Sequence, residues 1–403
     1  MFPKLRFKEF DENWKEVTLK NCITSIDSGW SPQCESYPAN SSEWGVLKTT
    51  SVDWSGFNSS FNKKLPLELT PRKEIEVKPL DILVTRAGPT ERVGVVSVVP
   101  HSVRSKLMIS DKLIRLKSNE ENNPLFLGIS LSSVKCQNQL QSKTSGLAKS
   151  QTNISQKILG EVLLKLPSKE EQTKIASFLS AVDEKISQLT KKHELLSQYK
   201  QGMMQKLFSQ QLRFKADDGS EFGEWEEKEL KDIAEINPKS KKLPESFIYI
   251  DLESVEKGQL LLQKNIELQD APSRAQRLLA KGDVLFQMVR PYQQNNYYFN
   301  LSGEYVASTG YAQIRTKLDS KFIYYALHEK TFLDEVMNRC TGTSYPAINS
   351  SDLSSIEILI PCLEEQTKIA NFLSSIDQKI EVVAQQIEQA KQWKKGLLQQ
   401  MFI

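Results

Sequence analysis

From Ile175 onward, apolar residues recur in alternating steps of four and three: Ile175, Leu179, Val182, Ile186, Leu189, His193, Leu196, Lys200, Met203 and Leu207. The same steps return in Ile369, Leu373, Ile376, Ile380, Val383, Ile387, Ala390, Lys394, Leu397 and Met401. A seven-residue stripe sustained over about five heptads predicts a coiled-coil helix, because that repeat keeps one seam turned toward a partner. Each helix is expected to start just behind a proline, Pro167 or Pro361, with a glutamate pair in its first turn, where the helix dipole favours negative charge. His193 lies on the stripe and reads as a tolerated polar seam position, not as a ligand. A helix of about 39 residues is a rod about 58 Å long.

Outside the stripes the period shortens. Asp81 to Thr85, Val93 to Val99 and Leu113 to Leu116 read as strands between Pro, Gly and Asn punctuation. Ile158 to Leu166 and Ser354 to Ile360 read as strands closing a globular body just before each rod, and Pro124 to Gln139 and Ser320 to Asn338 as helices. The bodies are therefore mixed α/β.

The rods are copies of one another. Residues 167 to 208 align with 361 to 402 without a gap, 194 positions apart, and 20 of the 42 pairs are identical. The sharpest stretch is Glu170-Glu171-Gln172-Thr173-Lys174-Ile175-Ala176 against Glu364-Glu365-Gln366-Thr367-Lys368-Ile369-Ala370. A weaker echo joins Leu5-Arg6-Phe7-Lys8 before Trp14 to Leu212-Arg213-Phe214-Lys215 before Trp225, and Asp81-Ile82-Leu83 before Arg86 to Asp283-Val284-Leu285 before Arg290. The chain thus reads as two head–body–rod units. The first rod ends near Phe208 and the second head begins at Leu212, so the second rod is expected to run antiparallel along the first, with a pseudo-two-fold axis and Met1 near Ile403. The segments are 1–166, 167–209, 210–360 and 361–403.

Composition narrows the class. The 403 residues are 39% hydrophobic and 26% charged, with a net charge of +3, which is ordinary globular composition with no global pull toward nucleic acid or anionic lipid. Residues 21 to 166 hold 18 basic and 13 acidic side chains, net +5, while 232 to 360 hold 14 and 16, net −2. Five scattered cysteines without a C-x-x-C pair suggest neither disulfides nor zinc, and no apolar run approaches a signal peptide or membrane span, so a cytoplasmic location is expected.

Catalytic constellations are missing from the sequence. It has no phosphate loop, no G-x-G-x-x-G turn, no H-E-x-x-H and no G-x-S-x-G elbow, and Asn237-Pro238-Lys239 does not complete the N/D-P-P-Y/F motif of an adenine methyltransferase. Polar loops suited to recognition are present instead. In the first body these hold Arg86, Arg92, Arg104, Lys106, Lys112, Lys143, Ser145, Lys149 and Gln151; in the second, Arg274, Arg277, Arg290, Tyr292, Gln293, Asn295, Asn296, Arg339, Thr343, Ser344 and Tyr345. Arg, Gln and Asn carry paired donors and acceptors that match guanine and adenine edges, while Lys, Ser and Thr suit phosphates. The plainer alternatives are that Arg86 and Arg290 pair with carboxylates, that Tyr297 and Tyr298 are core, and that Gly146 and Gly342 are turn residues.

Two dissimilar bodies, each followed by a helix opening E-E-Q-T-K-I-A-x-F-L-S and closing G-x-x-Q-x-x-F, each behind an L-R-F-K head and a tryptophan, resemble the DNA-specificity subunit of Type I restriction-modification systems along the whole chain. The resemblance implies an α/β fold: two mixed α/β target recognition domains separated by two long antiparallel coiled-coil helices. It implies a non-catalytic subunit that reads a bipartite DNA target, one half-site per domain. Two modification subunits would bring S-adenosylmethionine and methylate adenine; two restriction subunits would bring ATP- and Mg-dependent translocation and cleavage. The helices would space the domains, as a ruler matched to half-sites about 34 Å apart, and dock the methyltransferase through Gln172, Lys174, Phe178, Gln366, Lys368 and Phe372. A coiled-coil scaffold bridging two protein partners, and a DNA-cleaving enzyme with an unfamiliar site, remain as alternatives.

Overall fold

A computed structural model of the chain describes residues 3–148, 151–239 and 242–402. They form two compact units, Met1–Gln188 with Ile387–Ile403, and Leu189–Gln386. The long helices run Lys169–Phe208 and Leu363–Met401, as the heptads predict. The four sequence segments treated them as separate rods, whereas each unit takes half of each helix. The reason is packing. In the first unit Ile175, Leu179 and Val182 share a core with Leu397 and Met401 and with the body residues Trp14, Phe126 and Leu164. In the second, Leu207 joins Ile369, Leu373 and Ile376 with Trp225, Phe322 and Ile358. Within each unit the start of one long helix therefore lies beside the end of the other.

Each body is built around a four-stranded antiparallel sheet with the same order. In the first it runs Ile23–Ser28, Leu113–Ser118, Ile82–Thr85, Val96–Val98; in the second, Ala234–Ile236, Tyr311–Thr316, Val284–Gln287, Tyr297–Tyr298. One inner strand of each sheet, Ile82–Thr85 and Val284–Gln287, is buried at every residue and apolar except at its last, because both of its faces are covered. Three-stranded Leu107–Met108, Gly45–Leu47, Asn62–Lys64 flanks the first sheet, and a four-stranded sheet containing Ser246–Ile250 flanks the second. A strand pair closes each body onto its helix: Lys15–Thr18 with Leu163–Leu166, and Glu226–Glu229 with Glu357–Ile360.

Several expected elements are shorter or broken. The closing strands begin only at Leu163 and Glu357, because Ser155 and Asn349 cap short helices, Gln156–Gly160 and Ser350–Ser354, just before them. Pro124 to Gln139 is two helices, Pro124–Leu131 and Val134–Gln141, since the Ser133 hydroxyl accepts from Cys136 N and starts a new one. Glu329 does the same between Ser320–Ala326 and Lys330–Arg339. Val93 to Val99 is a strand only at Val96–Val98, behind a 3-10 turn at Thr90–Arg92.

The duplication persists contact by contact. Glu171, 1% exposed, accepts from Arg6 Nε and Nη2 at 2.7 Å each and from Trp14 Nε1 at 3.4 Å. Glu365, fully buried, accepts from Arg213 and from Trp225 Nε1 at 3.1 Å. Phe7 meets Phe178 edge-on, and Phe214 meets Phe372. Asp183 pairs with Lys394 in the first unit, and their repeat equivalents Asp377 and Lys200 pair in the second. The head echo is thus functional glue: the arginine and tryptophan hold each head on the first turn of its helix. Leu5 N also donates to Gln400 O at 3.0 Å, which brings the two chain ends together in the first unit; Met1 and Ile403 themselves lie outside the described residues.

Candidate nucleic-acid interface

In both bodies the central strand ends in a buried polar residue that shapes the loop behind it. Thr85 closes Ile82–Thr85; its hydroxyl accepts from Val95 N at 2.9 Å and donates to Arg92 O. Gln287 closes Val284–Gln287; its Nε2 donates to Val289 O and Gln293 Oε1, and its Oε1 accepts from Asn295 N. Its backbone N donates to Asn296 Oδ1. These two organisers were missed in the sequence, where the only sign is a polar residue capping an apolar run.

The strand register also corrects the echo between Arg86 and Arg290. Ile154 N donates to Arg86 O, and the equivalent Ile348 N donates to Met288 O, so Met288 stands where Arg86 does and Arg290 lies two residues further on. What the echo did locate is the pair Asp81 and Asp283. Both are buried, accept the amide three residues before them, and meet a basic side chain, Arg115 and Arg315. Burial pushes the Asp81 carboxyl above its usual range against the pull of the Lys78 amide and Arg115. These are structural pairs.

In the first body, the strand Ala87–Gly88 continues from Arg86 and pairs with Gln151–Asn153, which pairs in turn with Ser145–Ala148. Strands Ser145–Ala148 and Gln151–Asn153 are thereby folded back against the end of the central strand; Lys149 and the side chains of Ser145 and Gln151 lie outside the described residues. Arg86 is half-buried and donates through Nη1 to Asp111 O at 3.4 Å, with exposed Lys112 beside it through an Arg86 N to Lys112 O bond. Lys143 is exposed, 4.0 Å from Glu161. Arg92, Arg104 and Lys106 are differently employed. Arg92 ties Asp53 and the carbonyls of Val52 and Thr49; Arg104 donates to the carbonyls of Glu43, Ser105 and Ala39; and Lys106 Nζ donates to Ser42 O. All three brace loops.

In the second body two loops distant in sequence meet. Arg290 N donates to Pro346 O at 2.7 Å, Val289 and Thr341 bridge Ala347, and the Arg290 guanidinium lies 4.2 Å from the Tyr345 ring centre. Arg290 holds a left-handed φ of +54°, strain of about 1 kcal/mol that the Pro346 bond offsets. Gly342, at φ +91°, lets the second loop turn: a Cβ there would stand 3.1 Å from Tyr345 O. Tyr292, Gln293, Thr343, Ser344 and Tyr345 face solvent around the stacked arginine. Such a surface can stack on bases and offer a planar, bidentate donor.

The other second-body candidates are placed elsewhere. Asn296 is buried and Asn295 Oδ1 accepts from Lys257 N, so both serve the loop scaffold. Arg339 donates to Asp352 O and Ser355 Oγ at the end of its helix. Arg274 is exposed, while Arg277 is half-buried on the strand Ala275–Leu278 with its Nε buried and unpartnered, and burial lowers its pKa. Tyr297 is core and Tyr298 packs on Tyr324.

The sequence profile described as "Type I restriction modification DNA specificity domain" matches residues 12–197 and 223–392, one match for each unit's body and following helix. The chain belongs to this family. Its repeated architecture is that of a Type I DNA specificity subunit, a non-catalytic DNA-recognising chain. The chain is 28% identical over 345 residues to the Type I restriction enzyme MjaVIII specificity subunit of Methanocaldococcus jannaschii, covering 81% of this chain and 79% of that one. It is 27% identical to the MjaX specificity subunit of the same organism, covering 98% and 94%. It is also 40% identical to the Escherichia coli EcoEI specificity subunit over 171 residues, 42% of this chain but only 29% of that one. Among solved structures, the S subunit of a Type I restriction-modification system from M. genitalium superposes with a TM-score of 0.63 at 17% identity, covering 100% of this chain and 99% of the other, a likeness of fold.

The six helix residues that the Type I resemblance assigns to methyltransferase docking divide in two. Gln172 and Gln366 are buried. Gln172 accepts from Asn123 N and donates to Asn122 Oδ1 and Pro167 O; Gln366 accepts from Asp319 N and donates to Pro361 O. Their amides are consumed inside the chain, locking body to helix, and offer nothing to a docking partner. Lys174 and Lys368 pair with Glu9 and Asp217, and Phe178 and Phe372 are half-buried against the head phenylalanines. Among the described residues no helix is long and apolar enough to cross a membrane.

Proposed function

We propose that this specificity subunit reads a bipartite double-stranded DNA target, one half-site with the loops around Arg86, Lys112 and residues 143–153, the other with the Arg290–Tyr345 surface. The supporting observation is that one scaffold occurs twice and carries different chemistry at the same place, behind the central strand. Two copies with identical loops would read a symmetric site; here one loop set presents Arg86 and Lys112 and the other Arg290 stacked on Tyr345. The chain brings no chemistry of its own to the DNA. Modification subunits docked on the helix starts supply S-adenosylmethionine and methylate one adenine per half-site, which is extruded from the duplex to be reached. Restriction subunits supply ATP, Mg and cleavage. A solved relative, TM-score 0.53 and 18% identical, is described in terms of complex assembly and conformational transition of the Type I system, which supports assembly as the family's working form.

Charge sets the division of labour. With 14 basic and 16 acidic side chains in residues 232–360, the second body holds DNA with help from its partners, because phosphate neutralisation normally supplies much of the affinity. Mapping methylated adenines genome-wide in cells with and without the chain tests the proposal. A bipartite motif should disappear with the chain, and replacing residues 21–166 by those of a relative should rewrite one half-site only. Rewriting of both halves together would overturn it.

A further inference from the structure

Three large aromatic side chains of the first body are about half exposed, Tyr37, Trp54 and Phe61, and Trp54 is the indole among them. Trp54 stands at the tip of a hairpin formed by Val52–Asp53 and Gly56–Phe57, 50% exposed, in the polar run Asp53-Trp54-Ser55. The hairpin is rooted on several sides. Val52 is fully buried, Phe57 packs on the second core of the body, and Ser97 Oγ accepts from Asp53 N and donates to Asp53 O at 2.7 Å. Arg92 donates to Asp53 Oδ2 and to Val52 O at 2.6 Å each, and Asp53 Oδ1 caps the turn by accepting from Ser55 N. A rigid tip has already lost its conformational entropy, so a ligand that covers the indole gains most of the burial.

Arg92 also says what the tip lies beside. It ends the 3-10 turn that follows Arg86 and Ala87–Gly88, and Thr85, at the end of the central strand, holds its carbonyl. In the second body the hairpin of the same rank, Val255–Glu256 with Gln259–Leu260, is likewise tied to the loop behind the central strand, through Lys257 N and Asn295 Oδ1. There the tip is Lys257-Gly258. Both hairpins flank the loops assigned to DNA, and they differ in presenting an indole in one body and an ammonium in the other.

We infer that Trp54 is a DNA contact of the first half-site, stacking on an exposed or extruded base or on the sugar edge of the groove, with Arg92 as the residue that positions its hairpin. The inference rests on the DNA-recognition reading and adds a residue to it. The test is selection from a randomised duplex library by the full chain assembled with its modification subunits, as wild type, Trp54→Ala and Trp54→Phe. Stacking of one base on an aromatic ring is strong, so Trp54→Ala should bind the wild-type-selected duplex about 10- to 100-fold more weakly. It should relax the motif in one half-site only, with Trp54→Phe close to wild type in both. The indole emission, taken as wild type minus Trp54→Phe, should also be quenched when that duplex is added, a readout that does not depend on how well the alanine variant folds. Unchanged motif and affinity in Trp54→Ala, equal loss in both half-sites, or unquenched emission would each overturn the inference. Weakened binding of a modification subunit with an unaltered DNA motif would reassign Trp54 to a protein partner. A wild-type chain that selects no sequence sinks the DNA reading itself, before any variant is compared.

Discussion

The Arg6–Glu171 pair is the sharpest place to test how each head is held. Glu171 is 1% exposed and the Arg6 side chain 10%, with two parallel bonds at 2.7 Å and a third donor, Trp14 Nε1, at 3.4 Å. A charged hydrogen bond contributes about 1.5–3 kcal/mol, and removing one partner of a buried pair costs about 3–5 kcal/mol because the other charge is stranded. Arg6 sits close enough to the surface for its guanidinium to swing into water, which places Glu171→Ala at about 3 kcal/mol. In a double-mutant cycle with Arg6→Ala the coupling should be about 2 kcal/mol. Lys174–Glu9, whose side chains are 47% and 48% exposed, serves as an internal control with about 0.5 kcal/mol or less. Hydrogen exchange of the amides in the first turns of the long helix reads local opening free energy without assuming that the whole chain unfolds in one step. A coupling for Arg6–Glu171 no larger than the control would refute the reasoning that burial, and not the mere presence of an ion pair, holds the head.

Gln172→Ala should destabilise the first unit by about 2–3 kcal/mol, because it leaves the Asn123 amide and the Asn122 and Pro167 oxygens without their partner; a thermal midpoint within a degree of wild type would contradict this. Lys174→Glu should leave that midpoint nearly unchanged and weaken co-purification with the modification subunit; intact co-purification would remove Lys174 from the docking surface. His328, bonded to Tyr324 O and Asn296 and near Lys200 and Asp377, has its pKa lowered chiefly by burial. The unfolded imidazole then takes a proton more readily than the folded one, so its contribution is present above the ordinary value of 6.5 and is lost as pH falls from there toward the depressed folded value. The melting midpoint should drop between about pH 7.5 and about 5.5 by more in wild type than in His328→Gln, and equal drops would exclude His328 as the source. Four residues inserted at Gln188 should change the spacer length of the methylated motif and leave both half-sites as they were; an unchanged spacer would show that this helix does not set it.

Much of the architecture is one-dimensional information. The heptads predict both long helices to within two residues at their starts, and a repeat of 194 positions identifies two units, because periodicity and identity need no tertiary context. The head echo, two short motifs before a tryptophan, proved to mark the arginine and indole that grip a buried glutamate. Side-chain roles were far less legible. Gln172 and Gln366 look like surface polar residues on an amphipathic helix; only the body packed over them makes them buried. Arg92, Arg104 and Lys106 look like free cations because the backbone carbonyls that bind them come from residues about 40 to 65 positions away.

The sequence by itself determined the duplication, the helices, the family and the absence of familiar catalytic motifs, since each is written in spacing or in identity. The tertiary structure alone decided which loops meet. Arg290 reaches Tyr345 across 54 intervening residues, Met288 and not Arg290 stands in the place of Arg86, and Trp54 is joined to the loop behind the central strand through Arg92. Such contacts depend on strand register and hairpin placement, where a shift of one residue turns every side chain to the opposite face.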